Sequence, residues 1–256
     1  MPPHDPTASL VKVYPLLRER YGHQGWWPGE TPLEVCVGAI LTQNTNWRNV
    51  EKAIANLKQR NVLDFQTLAA LELSELAQLI RPAGYYNLKA QRVKSFLDLI
   101  DDRFDGDLEK LFELETAPLR DLLLSINGIG PETADSILLY AAQKPSFVID
   151  AYTKRILTRH GWALPSDNYD SLKQLCETHL TEVPASGLID YWQDYHAQLV
   201  QVAKEFCLAR SPRCTGCPLE SLLESRSLPP GSRPNSQPQQ DPHSGRTSKH
   251  PRTGKH

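Results

Sequence analysis

No apolar run in this chain approaches the ~20 residues that a membrane-spanning helix needs, and the opening segment MPPHDPTASL lacks the basic-then-apolar order of a secretory leader. These absences lead us to expect a cytoplasmic protein with no membrane partner. No charge of one sign dominates either, since the net charge is −2. Residues 226–256 hold six Lys or Arg against one Asp, a surplus of five positive charges that leaves −7 on residues 1–225. A nucleic-acid role would therefore rest on local positive groups and helix ends rather than on a global field. Cysteine is sparse, and five cysteines in a chain of this expected location argue against a disulfide framework. A strand-period segment of useful length and an internal repeat are also missing, which points away from sheet-based and repeat folds.

What is present is helical periodicity in a chain of 256 residues and 40% hydrophobic content, enough for one or two compact domains. Residues 9–20 suit an amphipathic helix despite Pro15. The next segment, YGHQGWWPGETP, is a loop whose Trp26, Trp27 and Pro28 either cap the core or line a ligand pocket. Thr31 can cap a helix through LEVCVGAILTQ that is apolar nearly all round and so should be buried, with Cys36 as a core residue. QNTNW then leads into a helix with Val50, Ala53, Ile54 and Leu57 on one face, leaving Gln43 and Asn44 at a helix junction. Further helices are expected at 63–71, 72–80, in the two segments before residue 126, and at 151–160, 169–180 and 188–206. The fold class is all-α. From residue 226 onward Pro, Ser, Gln and His dominate, so that end reads as a disordered basic tail, either solubilising or a DNA-binding arm.

The organising stretch is 126–150, INGIGPETADSILLYAAQKPSFVID. Gly128 and Gly130 permit positive φ and close backbone approach, and Pro131 is preset for the first position of a helix over 132–142. Such a turn aims amides outward and can hold a phosphate without a basic side chain; the alternative is an ordinary helix entry. Apolar residues at Leu122, Leu123, Leu124, Ile126 and Ile129, then Ala134, Ile137 and Leu138, pack two helices across it. From about residue 33 to 218, these features and their order resemble the helix-hairpin-helix DNA glycosylases of the endonuclease III superfamily, whose hairpin is followed by an essential aspartate. In the segment FVIDAYTKR, Asp150 takes that place.

The resemblance implies two helical domains with the hairpin and an active-site cleft between them. We expect a six-helix domain at 30–144 containing the hairpin, a second helical domain from 1–29 plus 145–225, and the tail at 226–256. It also implies contacts with damaged double-stranded DNA by a monomer: Gly128, Gly130 and Thr133 at phosphate, Gln43 and Asn44 beside the extruded nucleotide, and Tyr85 as a wedge. The wedge lies in GYYNLKA, with Lys89 opening the next helix toward DNA. A wedge fills the space of a flipped base and offsets a few kcal/mol of lost stacking; a core Tyr85 is the alternative. Asp150 would stabilise an oxocarbenium-like sugar and assist water, and it also suits a helix N-cap.

Bifunctional members carry a lysine two residues after the second hairpin glycine. This chain has Glu132, and a carboxylate forms no imine, so a monofunctional glycosylase follows, with Lys154 or Lys204 as substitute amines in the alternative. Alkylated purines are cationic and favour aromatic walls, for which Trp27 and Trp47 are candidates with Trp26 and Pro28. LTQNT followed by an aromatic resembles the branch that removes 3-methyladenine. The alternatives are an endonuclease III-like glycosylase and AP lyase for oxidised pyrimidines, or a non-catalytic DNA-binding homologue. Cys207, Cys214 and Cys217 match three positions of the family's iron–sulfur spacing, with Leu223 at the fourth. A [4Fe-4S] cluster normally takes four thiolates, so a labile or three-iron cluster, zinc, or a metal-free loop all stand. Arg210 and Arg213 in that loop are either phosphate contacts or solvated charges.

Overall fold

The computed structural model describes residues 7–181, 183 and 187–223, and the tail expected at 226–256 lies outside them. Every regular element among the described residues is helical, as the missing strand period requires. Helix α1 (Thr7–Tyr21) runs through Pro15. A proline there removes an amide donor and crowds the carbonyl four residues back. Leu10, Val13 and Leu17 are fully buried, and their packing carries the helix across it. Helix α2 (Pro32–Thr42) starts at Thr31, whose hydroxyl accepts the Glu34 amide at 3.2 Å. All nine residues from Leu33 to Leu41 are buried, so α2 is the central strut. Helix α3 (Trp47–Gln59), capped by Asn46, buries Val50, Ala53, Ile54 and Leu57 in one stripe. Burying each of the three larger side chains contributes about 1.5–3 kcal/mol.

Helices α4 (Phe65–Ala70) and α5 (Leu73–Leu79), a 3-10 turn at Arg81–Ala83, then α6 (Tyr86–Phe104) and α7 (Leu108–Phe112) complete the shell, with α2 packed on both α3 and α6. Helices α8 (Thr116–Leu124) and α9 (Pro131–Ser136) form the hairpin. Leu119, Leu123, Ile126, Ile129 and Ala134 are buried across it. Asp135, with no exposed surface, receives a two-pronged bond from Arg120 at 2.8 and 3.1 Å and a third from Ser146 at 2.6 Å. This fixes the angle between α8 and α9. The helix expected over 132–142 is α-helical only to Ser136; Ile137–Ala141 is a wider π-turn closed by the Ala142 amide on the Ile137 carbonyl at 2.9 Å. That turn is buried and gripped by both α2 and the last long helix, which overrides the local α preference.

Helices α10 (Ala151–Arg159), α11 (Tyr169–His179) and α12 (Leu188–Glu205) follow. Helix α1 returns to pack on α11 and α12, and α10 packs on α12. Asp194 on α12, without exposed surface, accepts the Tyr14 hydroxyl at 2.8 Å and the Gln24 amide at 2.7 Å, with the Arg18 guanidinium 3.5 Å away. The result is two helical domains with a cavity between them. No helix among the described residues is long and apolar enough to cross a membrane.

Candidate active site

The cavity, about 920 Å³, lies among the α2–α3 junction, the hairpin, the start of α10 and α12. Asp150 faces it as the N-cap of α10, in extended backbone conformation that frees its side chain to accept the Thr153 amide at 2.7 Å. Asp150 thus caps α10 and lines the cavity in one geometry. Its other oxygen is 3.6 Å from His196 Nε2, and His196 Nδ1 shares a 2.7 Å hydrogen bond with the Tyr140 hydroxyl. Burial pushes the Asp150 carboxyl up, but the His196 imidazole and the Thr153 amide outweigh it and hold the group below the usual carboxylate range. Asp150 is therefore ionised at neutral pH.

Trp26, Trp27 and Trp47 all line the cavity, with centroid separations of 5.9, 5.6 and 5.0 Å, and Tyr140 meets Trp27 at 5.2 Å. The Trp26 and Trp47 indole nitrogens are buried without a hydrogen-bond partner. Pro28 departs from expectation. It is exposed and is not among the residues lining the cavity, because the loop turns away after Trp27.

Around the rim the polar residues divide. Asn44, at φ +53°, lines the cavity in the left-handed conformation that Asn tolerates. Gln43 does not project freely: its Nε2 donates to the Gly128 carbonyl at 3.0 Å and to Thr133 Oγ1 at 2.9 Å, and its Oε1 accepts from Arg92. Thr133 is buried beneath that bond. Tyr85 is 71% exposed at φ +45°, which rules out the core-packing alternative and leaves the ring projecting beside the start of α6. Lys89 corrects the expectation of a DNA contact. It is buried, and its ammonium donates to the carbonyls of Leu41 and Ala83, both at 2.8 Å, tying the end of α2 to the 3-10 turn. Of the two hairpin glycines, only Gly128 uses positive φ, at +88°; Gly130 is extended at φ −94° with open space where a Cβ would stand. The Ala134 amide makes the first helical bond, to the Gly130 carbonyl, so earlier amides of α9 have no partner within the helix.

The site also contains residues that sequence reasoning did not place there. His196, Tyr140 and Arg92 come from distant segments, and their only local signal is a polar or aromatic group on an otherwise apolar helix face. Of the two substitute amines, Lys154 donates to the Asp167 carbonyl at 2.6 Å, whereas Lys204 lines the cavity, its ammonium 5.9 Å from the Trp26 ring and 6.0 Å from Tyr152. Glu132 lines it as well. Burial, then the charge of Asp150, raise the Glu132 carboxyl above its usual range against the opposing pull of His196.

The cysteine loop stands apart from the cavity. Three thiols and Leu223 do not supply the donor set of a four-thiolate cluster. Burial raises the thiols of Cys214 and Cys217, the latter to about 11, which favours the protonated forms. Arginines bond to the loop: Arg155 donates to the Cys207 carbonyl at 2.7 Å, and Arg159 donates to Cys207 Sγ at 3.3 Å and to the Leu208 and Ala209 carbonyls at 2.7 Å. Arg210 and Arg213 are exposed.

Residues 37–182 match the HhH-GPD superfamily base excision DNA repair protein family. A protein of Methanocaldococcus jannaschii, whose name provisionally calls it a DNA repair glycosylase, is 44% identical over 219 residues, spanning 85% of this chain and 96% of its own. The solved 3-methyladenine DNA glycosylase of H. pylori, bound to 1,N6-ethenoadenine, is 30% identical with a TM-score of 0.68, covering 79% of this chain and 98% of its own. An endonuclease III in a non-covalent complex with DNA shares the fold at a TM-score of 0.69 and 21% identity, over 83% of this chain and 92% of that one.

Proposed function

The chain belongs to the HhH-GPD superfamily of base excision DNA repair glycosylases, and from that premise we propose that it is a monofunctional enzyme, acting as a monomer on double-stranded DNA, that hydrolyses the N-glycosidic bond of alkylated purines such as 3-methyladenine. One observation carries this reading: an ionised carboxylate, Asp150, faces a cavity walled by three tryptophans with a carboxyl, Glu132, where the lyases need an amine. A cationic alkylpurine extruded into that cavity gains cation–π attraction from the indoles that a normal base does not. As the C1′–N bond lengthens, positive charge develops on the sugar, and Asp150, partly withdrawn from water, stabilises it and orients the attacking water. Glu132 cannot form an imine, so the product is an abasic site. The H. pylori relative, named for 3-methyladenine, supports the substrate class. On the DNA side, the open face at Gly130 and the free amides of α9 suit a phosphate, and Tyr85 suits the vacated space in the stack.

A second reading, a glycosylase with AP lyase activity toward oxidised pyrimidines, draws on the placement of Lys204 in the cavity. The same experiment separates the two. Purified protein is given methylated duplex DNA, and free base and strand breaks are scored before and after alkali. We expect 3-methyladenine release with breaks only after alkali. In Asp150→Asn, release falls by about 10²–10³-fold, the scale of losing one preorganised electrostatic partner. The fold should survive because asparagine caps α10 equally well. Direct scission at oxidised pyrimidines, trapped by borohydride and lost in Lys204→Ala, would replace this reading with the second. The cysteine loop enters neither scheme, and we propose that Arg155 and Arg159 hold it without a four-thiolate cluster.

A further inference from the structure

Glu132 lines the cavity and has no task in the hydrolytic scheme. It sits in the first turn of α9 with surface open to the cavity it lines, and its carboxyl makes no hydrogen bond or ion pair among the described residues. Asp150, across the same cavity, is anchored by the Thr153 amide and faced by His196. Two carboxyls in one site with opposite environments divide the labour of acid and base chemistry. Asp150, His196 and Tyr169 act on Glu132 directly, and the other titratable or charged groups lining the cavity are Tyr152, Lys204, Arg92, Arg48 and Glu51. Burial and then the Asp150 charge raise the Glu132 carboxyl against the opposing pull of His196, while Asp150 is lowered, so of the two carboxyls Glu132 is the one that holds a proton more readily.

Bond breaking asks different things of different bases. In a cationic alkylpurine, the electron pair of the C1′–N bond returns to the ring and neutralises it, so no proton is needed. A neutral adduct would leave as an anion unless a ring nitrogen is protonated. We propose that Glu132 is the general acid of this site, giving its proton to a ring nitrogen of the departing base, and that this extends excision from cationic to neutral purine adducts. The inference rests on the glycosylase reading above. In the step, the Glu132 O–H proton passes to the base, the C1′–N pair goes to nitrogen, and water adds to the sugar cation. The water's proton goes to Asp150 and then to solvent, from which Glu132 is reprotonated.

The test is single-turnover release of 1,N6-ethenoadenine, a neutral base, and of 3-methyladenine, a cationic one, from otherwise identical duplexes across pH 5 to 8, above the ordinary carboxyl range, the direction in which Glu132 is raised. With wild-type protein, release of the neutral base rises as pH falls through the Glu132 titration, more steeply than release of the cationic base. Glu132→Gln, isosteric but without an acid, loses that acidic limb, and its neutral-base rate falls about 100-fold more than its cationic-base rate. Equal losses on both bases, or an acidic limb that survives in the variant, would overturn the assignment while leaving the glycosylase reading intact. If wild-type protein released neither base, the glycosylase reading and this inference would fall together.

Discussion

Gly128 and Gly130 are two positions apart, yet only Gly128 is required by the fold itself. At φ +88°, a Cβ on Gly128 would be strained and would stand 2.4–2.7 Å from the Arg92 side chain, which holds Gln43. Gly128→Ala should cost about 1–3 kcal/mol and lower Tm, whereas Gly130→Ala should leave Tm nearly unchanged and weaken binding to duplex DNA. Thermal melts and a DNA titration check both, and a Gly130→Ala protein that binds DNA like wild type would remove the phosphate role from that turn. Asp150 and Trp47 were picked out by the motifs that resemble the glycosylase family, and Trp26 and Trp27 by being adjacent aromatics in a turn-rich loop; all four line the cavity. His196 was not picked out, because its meaning comes from a carboxylate 46 positions earlier that only the packing of α10 on α12 brings to 3.6 Å.

At the scale of elements, α2 and α3 could be read almost residue by residue, since caps and apolar spacing are local properties of the chain. The π-turn at Ile137–Ala141 and the burial of Lys89 could not, because both are imposed by neighbouring helices. Lys89 gives a pH signature. Burial, then Arg92, lower its pKa to about 8, while unfolded lysine titrates near 10.4. Between those values the unfolded chain binds more protons, so stability rises with pH. Below about 8 the full cost stands, on the order of 3 kcal/mol, and above about 10.4 it is gone. Urea unfolding of wild type and Lys89→Met at pH 8 and 10 should show wild type gaining on the variant by most of that amount. A difference independent of pH would mean that the buried ammonium carries no such penalty.

At the scale of the whole molecule, α1 is held to α12 by Asp194, which serves Tyr14 and Gln24 at once with Arg18 close by. Asp194→Ala strands those partners and should cost about 3–5 kcal/mol. Protease cleavage between α1 and α2, in the loop that carries Trp26 and Trp27, should become faster along with a lower Tm. If cleavage and Tm both match wild type, Asp194 is no latch. Tyr14 and Asp194 lie 180 positions apart in the chain. At ordinary rates of synthesis, α1 waits roughly 10–40 s on the ribosome before its partner helix exists. The loop that carries Trp26 and Trp27, made early, therefore gains its tie to α12 late. A nascent chain halted before α12 carries the hairpin and Asp150 but lacks both His196 and the Asp194 carboxylate that accepts the Gln24 amide in the tryptophan-bearing loop.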